Sequence, residues 1–459
     1  MDLERVYLKL PISLQNMGCS LHGLRLRLSR YNSRFHGLLR EAEERTFWPP
    51  ERIIEFRHRR LADYVKHCAE TIPFYRKRFR GIGLDPASIK CLEDLGNIPI
   101  TSKEEIQDHY QEMLSDAVDR RRCLIAHTSG TTGGGLRFAL TPEAYREQWC
   151  IWWRYRRWHR VDLGTWCGYF GGRSVVPLSQ KSPPFWRYDY VGGQILFSGY
   201  HMSPETLESY VEELRRRRPE WLNGYPSLLA LLATYLVETG GSLGYQPRLV
   251  TTLAESLLPH QSLLIEKAFG VRPKQHYGMA EGVANISECP RGRLHVDEDF
   301  SAVEFLPTSD PVVYRLVGTS FSNLALGFLR YDVQDLARLS QEECDCGRPG
   351  RVVEAIDGRR EDYVILKNGA RIGRMDHIFK DLVNIREAQI YQQTPGVVIF
   401  RVVPGRYYNG RDESLLRAEG AKRLGQDTEI IVDYVASISR GPTGKLRFVL
   451  SDIPEAKIS

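Results

Sequence analysis

The segment that most restricts this chain is a run of small and hydroxylated residues, Ala126-His127-Thr128-Ser129-Gly130-Thr131-Thr132-Gly133-Gly134-Gly135, directly behind the short apolar piece Cys123-Leu124-Ile125. An apolar stretch that gives way to glycines and hydroxyls reads as a strand feeding a loop. In such a loop backbone N–H groups and Oγ atoms approach phosphate oxygens without steric interference. No Gly-Lys-Ser/Thr closes the run, so it is not a Walker loop, and the dinucleotide GxGxxG spacing is absent. Composition alone equally allows a flexible Gly/Ser/Thr linker.

A chain of 459 residues, 42% hydrophobic and 26% charged, buries a large core and divides into two or three domains. The net charge of +6 is too mild for its length to indicate a nucleic-acid partner. The longest apolar stretch, Leu228 to Val237, is far shorter than the roughly 18 to 20 residues of a membrane span. With Asp2 and Glu4 near its start and no small-residue cleavage pattern, the N-terminus is unlike a signal peptide, and the expected location is cytoplasmic. Nine cysteines, an odd and mostly scattered set, agree with a reducing compartment.

Residues 1–80 read as helical and basic. Arg25, Arg27, Arg30, Arg34 and Arg40 alternate with Leu24, Leu26, Leu28, Leu38 and Leu39, which suits a helix packed on the body with its arginines solvated. The same mixture also suits an anionic membrane surface. Trp48-Pro49-Pro50 marks a break. Between about Cys123 and Arg330, strand-like and helix-like pieces alternate, predicting an α/β body of largely parallel strands. The clearest helix is Pro204 to Arg218, with Ser203 as its cap and Leu207, Tyr210, Val211 and Leu214 on one face. After Asp357-Gly358 short pieces such as Val397 to Val403 and Glu429 to Tyr434 predict a smaller α+β domain.

The loop Thr128-Ser129-Gly130-Thr131-Thr132-Gly133 resembles the phosphate signature of the adenylate-forming superfamily, which includes acyl-CoA synthetases, aryl-CoA ligases and adenylation domains. Four further signatures follow in the family's order. Tyr277-Gly278-Met279-Ala280-Glu281 resembles the segment lining the acyl and adenosine site, and Arg330 to Leu336 the strand whose Asp335 binds ribose. Gly358-Arg359-Arg360-Glu361-Asp362 resembles the hinge, and Arg440 to Arg447 the C-terminal loop with its catalytic Lys. Within the superfamily, Ile72 to Tyr75, Leu95 to Lys103 and Gly224 to Ser227 are similar to phenylacetate-CoA ligases and to proteins of capsule polysaccharide clusters.

The resemblance implies a large adenylation domain over 1–357 and a small mobile domain over 358–459 that turns about Asp362. It assigns Ser129, Gly130, Thr131, Thr132 and Gly133 to the phosphates of ATP. Tyr277, Gly278, Met279, Ala280 and Asp335 would hold the nucleotide, with Arg359 on the hinge side. Glu281 would position Mg²⁺, and Lys445 would bridge the carboxylate and the α-phosphate. Taken singly, Glu281 also reads as a helix-start acid, Asp335 as a strand-end acid, Tyr277 as a core residue and Lys445 as a solvated one. Two positions depart from the family: Gly134 stands where many relatives have Lys, leaving Arg137 to meet phosphate charge, and Gln334 where relatives often have Gly.

Cys289, His295, Cys344 and Cys346 offer three thiolates and an imidazole, the complement of a closed structural zinc site, although neither pair has Cys-x-x-Cys spacing and free cysteines are the alternative. Some phenylacetate-CoA ligase relatives resemble this arrangement and hold zinc there. Trp149, Trp152, Trp153, Tyr155 and Trp158 make an aromatic helix, suited to core packing or to an aromatic-lined acid pocket. Gly171 to Arg173 and Tyr188 to Gly193 are further candidate walls. The expected function is ATP-dependent activation of a carboxylic acid and transfer to coenzyme A. Transfer to an amine, sugar or carrier protein is a second reading, and a catalytically silent nucleotide-binding protein a third.

Overall fold

The computed structural model describes residues 3–127, 136–203, 205–254, 257, 259–308, 311–357, 364–372, 375–379, 385–404, 408–436, 438 and 449–453. Twelve strands build one sheet in the order Ser301–Pro307, Tyr314–Ser320, Tyr331–Leu339, Val352–Asp357, Leu294–Val296, Asn285–Glu288, Lys274–Gly278, Leu249–Thr252, Trp221–Gly224, Cys167–Gly171, Gln194–Ser198, Trp186–Asp189. Parallel pairing is confined to the five strands between Lys274–Gly278 and Gln194–Ser198. From Gly278 onward the strands pair antiparallel, so the expectation of a largely parallel body holds for only half of the sheet. The reason lies in the connections: helices Leu207–Arg217, Pro226–Glu238 and Pro259–Phe269 cross over between the parallel strands, whereas the later strands are joined by links too short for a crossover.

Helix Leu207–Arg217 is shorter than its periodicity suggests. Ser203 does not cap it, since the capping position belongs to Thr206 and no side chain accepts there. Its apolar face, with Tyr210, Val211 and Leu214, is buried against the parallel half of the sheet. The N-terminal residues form helices Ile12–Arg30, Ser33–Glu44 and Pro50–Thr71, with Pro50 in the first turn of the last, where its missing N–H costs nothing.

The buried face of Ile12–Arg30 is not its leucine face. Cys19, Gly23 and Arg30 are buried, while Leu21, Leu24 and Leu28 are exposed. The helix lies so close to strand Trp186–Asp189 that a Cβ on Gly23 would fall 2.2 Å from Asp189 Oδ1. Small residues therefore choose the contact face, and Arg30 is carried inward rather than solvated.

Charge ties these helices to the sheet. Arg154 holds Asp297 at 2.6 Å and Asp299 at 2.8 Å, Arg45 holds Asp299 at 2.7 Å, and Arg57 and Arg351 hold Glu298 at 2.8 and 2.6 Å. The carboxylates are buried. Beyond the large sheet, a separate four-stranded sheet of Glu429–Tyr434, Val397–Pro404, Ile385–Thr394 and Val449–Ser451 packs helix Gly410–Leu424 through Phe400, Ile390 and Leu416. That helix starts with a capping box between Asn409 and Asp412. Tyr200 of the large body joins the same core, and its hydroxyl accepts from Arg423 at 3.4 Å. A mixed α/β body with a smaller C-terminal domain is the expected fold class.

Candidate active site

A cavity of about 680 Å³ lies beside the sheet where its parallel half meets its antiparallel half. Strand Lys274–Gly278 and the turn after it bring Tyr277, Gly278, Met279, Ala280 and Glu281 to the wall, and Glu281 is buried there. Asp335 enters from strand Tyr331–Leu339, and the Tyr277 hydroxyl donates to its Oδ2 at 2.7 Å. Six residues that the sequence reads as one site from two distant motifs, Tyr277 to Glu281 and Asp335, thus share a cavity.

Asp335 is aimed by an irregularity. Leu336 pairs with Arg315 and Asp332 with Val317, so three residues oppose one and the strand bulges over Val333 to Asp335. Gln334 sits in the bulge at φ 63°, the left-handed region, with its N–H on Asp332 Oδ1 at 3.1 Å. A glycine at this position in relatives has a conformational reason, and this chain adopts the conformation with glutamine at a cost of roughly 1–2 kcal/mol.

The strand Leu124–His127 pairs with Arg137–Leu140 in a two-stranded ribbon, and His127 at its end lines the cavity. In sequence, the ribbon's two strands flank the segment expected to hold phosphate. Ser129, Gly130, Thr131, Thr132 and Gly133 themselves lie outside the described residues, as do Arg359, Asp362 and Lys445. Arg137 is exposed and stands opposite His127.

Sequence reading gave Lys103 no role, yet it is buried in the cavity wall one residue past Ser102, whose side chain accepts from Glu105 N–H at 3.1 Å and starts a short helix. The segment Leu95 to Lys103 that signalled kinship is fastened by buried Arg330, which donates to Ile98 O at 2.6 Å and pairs with Glu304 at 2.9 Å.

The aromatic helix Pro142–Trp158, capped by Thr141 accepting from Ala144 N–H at 3.2 Å, both packs into the core and borders the cavity. Trp149, Trp152 and Trp153 line the cavity, while Tyr155 stacks on His276 at 5.0 Å. Burial pushes the His276 imidazole down to about 3, so it is neutral at ordinary pH. The expected walls Arg173, Asp189, Val191 and Gly192 line the cavity too.

Cys289, His295, Cys344 and Cys346 converge, with all four ligand atoms within 4.8 Å of one another. Cys289 Sγ stands 3.8 Å from Cys344 Sγ, and Cys346 Sγ 3.4 Å from His295 Nε2. A disulfide needs about 2.05 Å. Tetrahedral zinc with Zn–S of about 2.3 Å places two sulfurs about 3.8 Å apart. Burial pushes His295 down to about 4, leaving the neutral imidazole that a metal requires. The donors tie the turn after Asn285–Glu288 and strand Leu294–Val296 to the loop before Val352–Asp357, and Leu294 and Ile356 on these strands line the cavity.

Residues 364–452 match the family model of the CapK C-terminal domain. Protein CapK of Staphylococcus aureus is 23% identical over 98% of this chain and all of its own length. Phenylacetate-coenzyme A ligase of Thermus thermophilus is 28% identical over 70% of this chain and 73% of its own. Among solved structures, 2-hydroxyisobutyryl-CoA ligase with its 2-HIB-AMP adenylate superposes with a TM-score of 0.55 at 19% identity, covering 89% of this chain and 91% of that one. Its complex with adenylate and CoA in the thioesterification state gives 0.58 at 18% identity, with the same coverage. Motif order, relatives and fold agree that this chain is similar to CapK and the phenylacetate-CoA ligases, on the fold of the adenylate-forming CoA ligases.

Proposed function

We propose that this chain is an ATP-dependent ligase that converts a carboxylic acid to its acyl-adenylate and passes the acyl group to coenzyme A. The observation that carries this reading is the meeting of Tyr277, Glu281 and Asp335 in one cavity, which His127 of the two-stranded ribbon also lines. Adenylation joins two anions, a carboxylate and the α-phosphate, so the site must offset their repulsion and stabilise charge in the transition state. Asp335 accepts from the ribose hydroxyls, and its bond to Tyr277 holds it in register. Glu281 would supply a carboxylate to Mg²⁺, and the ion would offset the negative charge of the phosphates. Ser129, Gly130, Thr131, Thr132 and Gly133 cradle the β and γ phosphates, while Lys445, on the C-terminal loop, bridges the two reacting groups as a point charge.

In this reading the large domain spans 1–357 and the small one 358–459, and a turn about Asp362 exchanges adenylation for thiolysis. Arg359 follows the nucleotide from the hinge side. Cys289, His295, Cys344 and Cys346 hold a structural zinc that fixes the cavity wall and takes no part in the reaction. A second reading keeps adenylation and gives the acyl group to an amine, sugar or carrier protein. Product analysis with and without coenzyme A separates the two.

The test is acid-dependent ATP–pyrophosphate exchange across a carboxylate panel. Lys445→Ala is expected to abolish exchange while sparing thiolysis of supplied acyl-adenylate. Exchange at the wild-type rate in that variant would remove the assignment.

A further inference from the structure

The helix Pro142–Trp158 turns Trp149, Trp152, Trp153 and Arg156, spaced i, i+3, i+4 and i+7, toward the cavity. Trp152 abuts the motif that bears Glu281: its Nε1 donates to Asn285 Oδ1 at 2.9 Å, and a Cβ on Gly278 would lie 3.2 Å from that nitrogen. Trp149 packs against Trp152 at 4.8 Å, and two guanidiniums lie on the wall beyond. Arg30 sits 3.7 Å over the Trp149 ring, and Arg156 lies 5.6, 4.6 and 5.0 Å from Trp149, Trp153 and Trp221.

Arg30 is buried and Arg156 half-buried, and their surroundings differ from those of the other buried arginines of the molecule. Arg45, Arg57, Arg154 and Arg330 each hold a carboxylate within 4.0 Å. Arg187, which has none, gives its donors to Gln15, Gln180 and two backbone carbonyls. Among the described residues Arg30 and Arg156 have no carboxylate within that distance. Among the described residues the Arg156 guanidinium donates to no protein group, whereas Arg30 Nη1 donates to the Tyr31 hydroxyl at 3.2 Å and its Nη2 to the Tyr145 hydroxyl, both neutral acceptors, and its Nε, like those of Arg57 and Arg154, is buried without an acceptor. Arg27 and Arg173 line the same cavity, and neither has an ion-pair partner among the described residues. Against these four cations stands one acid on this part of the wall, Asp189, whose Oδ1 accepts from Gly192 N–H at 2.8 Å.

Three indoles stabilise a guanidinium through their faces but accept none of its five hydrogen bonds in the ring plane. A cation partly withdrawn from water with no counter-charge beside it is costly, and an anion that enters the cavity relieves the cost with bidentate bonds. We infer that the acid activated here is dianionic. One carboxylate meets the nucleotide, and a second carboxylate or a phosphate, set off by an apolar spacer lying along Trp152 and Trp149, is held by Arg156 and Arg30. The inference rests on the adenylation reading and names the substrate class of that site.

The test pairs acids of one skeleton: phenylacetate with para-phenylenediacetate and para-(phosphonomethyl)phenylacetate, and hexanoate with adipate. Binding to the full-length protein is measured by calorimetry and activation by pyrophosphate exchange. The dianionic members are expected to bind roughly 10- to 100-fold more tightly than their monoanionic partners, the worth of one charge-assisted pair. That preference should collapse in Arg156→Met and in Arg30→Met, two independent variants whose folding is checked by circular dichroism. The two dianions of the aromatic series separate carboxylate from phosphate as the preferred group. Equal binding of mono- and dianionic acids, or a preference that survives in both variants, overturns the inference. So does an effect of the variants on coenzyme A affinity alone. Dianions that bind with the expected preference yet support no exchange leave the anion site standing and overturn the adenylation reading instead.

Discussion

The phenol of Tyr277 donates to Oδ2 of Asp335 at 2.7 Å, linking two strands of the large sheet between which three others lie. It joins the motif that carries Glu281 to the acid proposed to hold ribose, so the two are positioned together. Asp335→Asn is expected to raise KM for ATP about 10- to 100-fold, the range for hydrogen bonds to a charged group. Tyr277→Phe is expected to raise it only a few-fold, because Asp335 keeps its charge. Steady-state kinetics at varied ATP check both, and an unchanged KM in Tyr277→Phe removes the positioning role.

Gln334 at φ 63° gives a test of the family departure beside Asp335. Gln334→Gly relieves the left-handed strain and is expected to leave KM for ATP within about twofold, since the bulge already has its shape. Gln334→Val, β-branched at positive φ, is expected to cost roughly 1–2 kcal/mol in chemical denaturation. A large gain in ATP affinity for the glycine variant would mean that glutamine itself weakens the site.

The cluster of Cys289, His295, Cys344 and Cys346 predicts close to one zinc per chain in protein purified without chelator. Metal analysis measures it. Cys344→Ser, or removal of the metal by a strong chelator, is expected to lower Tm by several degrees, because a closed site contributes folding energy. Much less than one zinc per chain, with Tm unmoved by chelation, would return these residues to ordinary free cysteines.

Acid stability follows from Asp299. Burial alone would raise its carboxyl, yet Arg154 and Arg45 hold it well below the ordinary carboxylate range. A depressed folded-state pKa means the stabilisation is complete above the unfolded value, near 4, and is lost as pH falls below it. Asp299→Asn leaves two buried guanidiniums short of a partner and is expected to cost about 3–5 kcal/mol at neutral pH. It should also flatten the decline of stability below pH 4, which denaturation across pH measures. A variant that matches the wild type at both ends of that range would remove the network from the list of supports.

Much of the site is legible in the chain because it is local. A short strand before a glycine loop, Tyr277 to Glu281 on consecutive residues, and the paired donors of Cys289 and His295 or Cys344 and Cys346 all need only neighbours to be seen. The aromatic helix was visible as a helix, since spacings of three and four are an intrinsic property of its sequence. Which of its faces meets a cavity was not, because that depends on what packs opposite.

The same division runs through the rest of the molecule. The order of the motifs, the donor set of the Cys/His cluster and the change of style after Asp357 can be read from the chain alone. Only the tertiary structure decided that half of the sheet is antiparallel, since strand pairing joins residues far apart in the chain and connection length alone permits several partners. It also decided that Arg30, in a helix that reads as a solvated basic surface, is buried against Trp149. The sequence shows a helix with leucines and arginines, but Gly23, by allowing close approach to Asp189, selects the face turned inward. Burial belongs to pairs of surfaces, and one strand of sequence specifies only its own side of the contact.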